Sequence, residues 1–455
     1  MPNFYIKTYG CQMNEQDSRQ VSKMLVDRGY CLVENEEEAD VILLNTCSVR
    51  EMAEQKAIGK MGMLRKLRYD RPRLILGYLG CMAQIRGDGL LNISPHVDLV
   101  VGTRKIHRVA EYVDAIFRRS QQARMDDERL PIVEVGEEQD ASTNSLNRAH
   151  TSKESRATAF VSIMQGCNMH CAFCIVPQTR GSERSRSMEE IVEEVQMLVD
   201  EGVLEVILLG QIVNFYGRHS FKKVDNKSPF VQLIERIHRI KGLERIRFIS
   251  PHPIGFQQDL IDCFARLPKL MEHVHLPLQS GSDRILRSMR RGYTVSTYLR
   301  LVEKLRAARP DLAISTDIIV GFPGETEEDH LATKEVYRTA GFDHAFIFRY
   351  SPRRATRASA MEQQVTEEAK EARNQDLLHL LRVTSARKLS ACVGTRMEIL
   401  CEGPSKTNPS RFSGRTRTNQ LVVFDGSNRH VGQIFDVLIT GSSASTLYGD
   451  PALSL

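Results

Sequence analysis

Short apolar runs alternate with 3.6-periodic stretches over the first ~118 residues. Phe4-Tyr5-Ile6 reads as a strand, and Val21, Met24 and Leu25 mark one face of a helix that Gly29 can end. The unbroken run Val41-Ile42-Leu43-Leu44 predicts a buried strand, and Ala53, Ala57, Met61 and Leu64 share a face of the helix after it. Leu74-Ile75-Leu76 and Leu99-Val100-Val101 add two more strands. Such alternation predicts an open, mostly parallel α/β domain over residues 3–118.

Residues 119–152 lose that pattern. Arg124 to Arg129 and Gly136 to Asp140 are polar without a clear period, which predicts a linker. A second α/β unit is expected over 153–385. Its strands are Ala159–Ile163, Val206–Leu209, Ile246–Ile249, His273–Leu276, Ile314–Val320 and Ala345–Phe348, with helices between them. Six strand–helix repeats suit an open, partial (β/α)6 barrel, closed by a long helix from Glu367 to Leu389. From 386 to 449 the pattern turns to β. Thr395–Leu400, Leu421–Phe424 and Ile434–Thr440 lie between Gly, Pro, Ser and Asn turns and predict a small barrel.

Composition adds limits. The 455 residues exceed one core, and 41% hydrophobic with 26% charged residues is ordinary for a soluble protein. No apolar run approaches the ~20 residues of a membrane span, and Met1 to Tyr5 show no secretory pattern. A cytoplasmic protein without a membrane partner is the expectation. The net charge of +5 permits an anionic partner. Ten cysteines in such a chain suggest metal ligands or buried thiols rather than disulfides. Cys31, Cys263, Cys392 and Cys401 are scattered and read as buried thiols.

Cys167, Cys171 and Cys174 are spaced C-x3-C-x2-C, with no fourth cysteine placed to complete the set. Structural zinc sites close with four ligands, as do ferredoxin clusters. Three thiolates on one loop instead leave one iron of a [4Fe-4S] cluster open for the amino and carboxylate groups of S-adenosylmethionine (SAM). The loop follows a predicted strand, at the end where α/β barrels carry chemistry. A zinc knot completed by His170 is the alternative, poorly served by a histidine directly preceding Cys171.

Phe173 before the last cysteine makes this segment resemble the radical-SAM superfamily. That resemblance implies SAM contacts from Phe173, from Gly210 and Gln211 after one strand, from Gln279 and Ser280 after another, and from Ile319 and Gly321 at a third. Glycines there would let backbone approach a ligand.

Cys11, Cys47 and Cys81 each follow a predicted strand, and the carboxyl ends of strands in an open α/β sheet are where ligands collect. Their spacing leaves open whether they converge or are three separate buried thiols. Gly10-Cys11-Gln12-Met13-Asn14, Asn45-Thr46-Cys47-Ser48-Val49-Arg50-Glu51 and Gly80-Cys81-Met82-Ala83-Gln84 resemble the methylthiotransferase family. In that family these three cysteines hold a second [4Fe-4S] cluster, and Cys47-Ser48-Val49-Arg50 is similar to the branch acting on dimethylallyladenosine. Other branches act on threonylcarbamoyladenosine or a ribosomal-protein aspartate. The similarity runs from residue 3 to about 449. It departs at Ile212, where the family usually has Asn, and at Arg354-Ala355-Thr356-Arg357, which replaces Pro-Gly-Thr-Pro.

Lys406, and Arg411, Arg415 and Arg417 between the last predicted strands, can grip phosphates, and Phe412 can stack on a base; a merely solvated basic loop is the alternative. The segment resembles the TRAM domain, an RNA-binding barrel. Arg180, Arg184, Arg186, Arg290, Arg291, Arg353 and Arg354 are candidates to extend that surface.

The resemblances together imply a transferase that cleaves SAM reductively and installs a methylthio group on carbon 2 of dimethylallyladenosine beside the anticodon of tRNA. They imply two [4Fe-4S] clusters, a flavodoxin- or ferredoxin-type electron donor and iron–sulfur assembly proteins as partners. The rivals are the threonylcarbamoyladenosine branch and a non-catalytic iron–sulfur RNA-binding protein.

Overall fold

A computed structural model describes residues 1–48, 51–122, 130–136 and 157–451. Two compact units divide it. One comprises the described residues of Met1–Ser152 with Gln165–Met169 and Cys174–Arg184, and the other those of Lys153–Met164, His170–Phe173 and Ser185–Leu455.

The first unit is a six-stranded, wholly parallel sheet. Its strands are β1 (Asn3–Tyr9), β2 (Cys31–Leu32), β3 (Val41–Thr46), β4 (Ile75–Gly80), β5 (Leu99–Gly102) and β6 (Ile132–Glu134), in the order β2-β1-β3-β4-β5-β6. Every residue of β3 and β4 is buried, as expected for strands covered on both faces. Alternation along β3 shows how. Val41 and Leu43 pack with Val21 and Leu25 of helix α1 (Gln12–Asp27), while Ile42 and Leu44 pack with Ala57, Met61 and Leu64 of α2 (Glu51–Asp70).

The stretch expected to be a linker differs from that expectation at two places. The helix Val109–Gln122 runs past 118, and Ile132–Glu134 adds β6 to the sheet edge beside β5. Three residues are too few to show a period, so the strand is set by its neighbour. Arg124 to Arg129, Glu137 to Asp140, and Val49-Arg50 of the second cysteine motif lie outside the described residues.

The second unit begins at β7 (Thr158–Ser162); the short strands β8 (Met164–Gln165) and β9 (Arg184–Ser185) flank the cysteine loop. The barrel strands are β7, β10 (Glu205–Leu209), β11 (Arg245–Phe248), β12 (His273–His275), β13 (Ala313–Val320) and β14 (His344–Arg349). They form two parallel three-stranded sheets, β11-β10-β7 and β12-β13-β14, joined by a parallel bridge between Ile246 and Leu270. This is the open (β/α)6 arrangement expected from six repeats.

The helix Glu367–Ser390 leads into a closed barrel, β15 (Arg396–Pro404), β16 (Phe412–Thr416), β17 (Leu421–Phe424), β18 (Ile434–Ser442) and β19 (Leu447–Pro451), in the order β15-β16-β17-β19-β18. The basic segment read as a loop therefore contains strand β16. Its Phe412 is 8% exposed and packs on Phe424 in the barrel core, so it offers no platform to a base.

Buried arginines seat this barrel on the central strands. Arg247 on β11 meets Glu205 at 3.0 Å and donates to the carbonyls of Thr416 (2.7 Å) and Arg417 (3.1 Å). Arg245 donates to the carbonyl of Arg415 at 2.8 Å and meets Glu398 at 2.7 Å. Arg417 returns the contact, holding both carboxylate oxygens of Glu272 at 2.8 Å and donating to the carbonyl of Pro268. Replacing Arg247 by Leu leaves the buried Glu205 carboxylate only its 3.9 Å contact with Arg245 and strands two carbonyls. The expected cost is about 3–5 kcal/mol, read as a lowered urea midpoint.

Candidate functional site

Because β1, β3 and β4 are adjacent and parallel, the residues following them share one edge of the sheet. Cys11 follows β1 and caps α1, Cys47 follows β3, and Cys81 follows β4 as the first residue of the short helix Cys81–Arg86. Cys47 continues the ladder, its N–H donating to the carbonyl of Tyr9 at 2.9 Å. Cys47 and Cys81 are buried, and Cys11 is partly exposed.

The polar residues of the three motifs lock those strand ends together. Asn14 and Asn45 are both fully buried. Asn14 Nδ2 donates to Asn45 Oδ1 at 3.1 Å, and Asn45 Nδ2 donates to the carbonyl of Asn14 (2.8 Å) and to Ser18 Oγ (2.9 Å). Asn14 Oδ1 accepts from the Cys11 thiol at 3.3 Å. Gly80 is required here on two counts. Its φ is +92°, and a Cβ would lie 2.2 Å from Asn45 Oδ1 and 2.9 Å from the Thr46 carbonyl.

The electrostatics favour thiolate at Cys11 and oppose it at Cys81. The Cys11 pKa is pulled down to about 6, chiefly by a hydrogen bond from Cys47, and further by Arg180 and the amides of Met13 and Asn14; burial opposes this. Burial pushes the Cys81 thiol up, against the Arg180 guanidinium that hydrogen-bonds to it. Arg180 is 3% exposed and held by Asp17 at 2.7 Å and 3.4 Å. It was expected on an RNA-facing surface; its pairing with Asp17 and Cys81 buries it instead. Arg186 and Arg291 are likewise buried, Arg186 against Glu194 at 2.6 Å and Arg291 beneath Tyr293.

Three sulfur donors on one edge, two of them buried, beside a guanidinium, are suited to a thiolate-ligated cluster. Gln16 Oε1, Thr46 Oγ1 and Ser48 Oγ around them are buried without a hydrogen-bond partner. None of the ten cysteines forms a disulfide. Among the described residues no set of His, Cys, Asp and Glu side chains surrounds a single ion position.

The second cysteine set shares one loop by covalent connection. Cys167 is buried, its N–H donating to the carbonyl of Gly181 at 3.0 Å, and its sulfur accepts from the Met169 N–H at 3.3 Å. Cys171 Sγ accepts from Arg291 Nη1 at 3.3 Å, and Cys174 is partly exposed. Between them, Ala172 is pinned from both sides, donating to the Met289 carbonyl and accepting from Ala358 N–H.

Of the expected SAM residues, Phe173 and Ile319 pack against one apolar cluster with Phe322 and Tyr350. Gln279 bridges to β13, its N–H donating to the Asp317 carbonyl at 2.8 Å and its carbonyl accepting from the Ile319 N–H at 2.9 Å. Its φ of +72° is rare for a non-glycine. Ser280 is fully buried beside it. Gly210 lies on β10's end against Met164, where a Cβ would come within 2.6 Å of Cγ, and Gln211 follows, partly exposed. At Gly321 the space of a side chain is filled by Lys370, and its N–H donates to Glu325 at 2.8 Å. A side chain at Gly210 or Gly321 would therefore collide with Met164 or Lys370.

Sequence reasoning missed Asp17 and the asparagine network, and gave Arg180 and Arg291 to an RNA-facing surface where they instead meet Cys81 and Cys171. Asn14, Asn45 and Gly80 stand inside the cysteine motifs, so that signal was available. Arg180 and Asp17 lie 163 positions apart and carried none.

Comparison with known proteins gives three family matches: the Radical SAM superfamily over residues 161–336, the uncharacterized protein family UPF0004 over 3–102, and the TRAM domain over 390–452. The tRNA-2-methylthio-N(6)-dimethylallyladenosine synthase of Akkermansia muciniphila is 55% identical, with all of both chains covered. Its counterpart in Methylacidiphilum infernorum is 50% identical, covering 100% of this chain and 96% of the relative. Among solved structures, the radical SAM methyltransferase TsrM of Kitasatospora setae, with cobalamin and a [4Fe-4S] cluster bound, gives a TM-score of 0.57 at 14% identity. It covers 79% of this chain and 77% of its own. That likeness concerns the fold.

Two backbone positions yield expectations. Gly80→Ala should destabilise the protein by about 1–3 kcal/mol, with a lowered thermal midpoint. Ala355 adopts φ +66° where the family pattern has glycine. Ala355→Gly should therefore stabilise, by about 1 kcal/mol, seen as a raised denaturant midpoint.

Proposed function

Because the chain belongs to the tRNA-2-methylthio-N(6)-dimethylallyladenosine synthases, a family of radical-SAM methylthiotransferases, we propose that it methylthiolates carbon 2 of N(6)-dimethylallyladenosine next to the anticodon of tRNA. The radical-SAM family brings with it SAM and one [4Fe-4S] cluster. The finer assignments are ours. Cys167, Cys171 and Cys174 hold that cluster, and Cys11, Cys47 and Cys81 hold a second one.

When bound, the first cluster and SAM supply a radical able to take hydrogen from an aromatic C–H, and the second cluster supplies sulfur. The chain's own residues bind, orient and shield. Phe173 and Ile319 give the SAM side an apolar wall, and Gly210, Gln211, Gln279, Ser280 and Gly321 carry the strand-end backbone around it. Arg291 hydrogen-bonds to Cys171 and steadies one thiolate. In the other set, the Asn14–Asn45 pair fixes the strand ends, and Arg180 offsets thiolate charge. The observation that supports the second set most is the hydrogen bond between Cys11 and Cys47, with Cys81 beside the same guanidinium.

tRNA is the partner class, as the TRAM match supports. Exposed Lys406 and partly exposed Arg411 remain candidates for phosphate contact, whereas Arg417 is committed to Glu272. A flavodoxin- or ferredoxin-type donor, iron–sulfur assembly proteins and a cytoplasmic site of action complete the reading. Among the described residues no helix is long and apolar enough to cross a membrane.

Separate cysteine sets make separable failures. Anaerobically reconstituted protein should carry about eight irons, and Cys47→Ala about four. That variant should still convert SAM to 5′-deoxyadenosine with dithionite but yield no 2-methylthio nucleoside, whereas Cys171→Ala should lose both products. Mass spectrometry of both species reads the result. Methylthio product at wild-type yield from Cys47→Ala would overturn the two-cluster assignment.

A further inference from the structure

Strand β14 presents a face that its burial does not explain. Ala345 and Ile347 pack into the central apolar core, so the alternate residues His344, Phe346 and Phe348 face the barrel interior. All three are exposed, Phe346 by 49% and Phe348 by 42%. Two phenylalanine rings at i and i+2 on one exposed face, beside an imidazole, are a poor solvent surface, and an exposed apolar patch of this kind marks a contact site.

The register shows what lies beside them. Ser315 pairs with His344, Asp317 with Phe346 and Ile319 with Phe348, so Phe348 lies nearest the carboxyl-end rim, with Phe346 and then His344 further in. His275 on β12 lies between Asp317 (3.2 Å from Nε2) and Ser315 (2.9 Å from Nδ1). Phe346 stands edge-on to both His275 and His344, with centroids 5.8 Å and 4.9 Å apart. The interior thus offers apolar rings next to a fixed acid–imidazole pair.

We propose that Phe346 and Phe348 form the specificity surface for the dimethylallyl group of the substrate base; this rests on the reaction proposed above. A branched five-carbon alkyl gains from apolar ring faces. A threonylcarbamoyl group would bring a carboxylate toward the same rings and toward Asp317, a like charge in a partly dehydrated site. One surface therefore selects for the first group and against the second. Because both phenylalanines point away from the core, replacing them leaves the packing of Ala345 and Ile347 in place.

The test compares binding of full-length tRNA with and without the dimethylallyl group to the reconstituted enzyme. Wild type should prefer the prenylated tRNA. Phe346→Ser/Phe348→Ser should lower that preference by about tenfold, and Phe346→Leu/Phe348→Leu should retain most of it. A preference unchanged in the serine variant would overturn the proposal, as would a loss in the leucine variant as complete as in the serine one. Wild-type protein that shows no preference and makes no 2-methylthio nucleoside would count instead against the proposed reaction.

Discussion

The first unit depends on two buried asparagines that satisfy each other only when the ends of β1 and β3 meet. Asn14 sits in the first turn after β1 and Asn45 near the end of β3, and each is the other's hydrogen-bond partner. A buried amide without partners costs about 1–3 kcal/mol, so any slip of β1 against β3 is resisted by both side chains. β4 joins through Gly80, the residue whose missing side chain makes room for the Asn45 amide. The cysteines follow each of these strands directly. Their convergence is thus a consequence of how the strands are registered, with the thiols carried along.

That logic explains why the cysteine motifs contain more than cysteine. Gly10 leaves space that Asn14 fills, Asn14 accepts from Cys11, and Gly80 accommodates Asn45. Removal of any one would disturb the donors before any metal is considered. Arg180 adds a constraint of a different kind. Its charge is buried only because Asp17 and the thiol of Cys81 share it, and it stands six residues after Cys174, in the segment that continues from the other cysteine loop. A single short stretch of chain therefore carries Cys174 of one cysteine set and the guanidinium that meets Cys81 of the other.

Much of this was legible in the sequence, and the limits follow from what patterns record. Unbroken apolar runs such as Val41–Leu44 marked buried strands because both faces of the sheet are covered. The six repeats gave the open barrel, the spacing of Cys167, Cys171 and Cys174 pointed to one set of donors, and the second set came only from the family resemblance of the motifs around Cys11, Cys47 and Cys81. What escaped was whatever depends on a distant partner. Arginine reads as surface from composition, yet Arg180, Arg186, Arg245 and Arg247 are buried, each next to an acid. Phe412 read as a loop aromatic because β16 is short and its neighbours are Ser, Gly, Arg and Thr. β6 is three residues long, below the length at which alternation can be seen.

The arginines also change how the carboxyl-terminal barrel is to be understood. Arg411, Arg415 and Arg417 are two to six residues apart and of one parity, so a strand would place them on one face, and that face was expected to meet phosphate. Instead the segment is held from below. Arg245 and Arg247 take the carbonyls of Arg415, Thr416 and Arg417, and Arg417 turns its own guanidinium to Glu272, itself 2% exposed. Guanidinium groups donate in a planar fork, so each can bind carbonyls and a carboxylate together. The barrel is thereby fixed to strand β11 of the central unit. An RNA bound to the remaining cations would be held in a set position relative to the rings of β14, and not on a freely swinging module. Basic residues near a site can thus contribute to recognition by fixing the geometry of the RNA-binding domain as well as by touching phosphate.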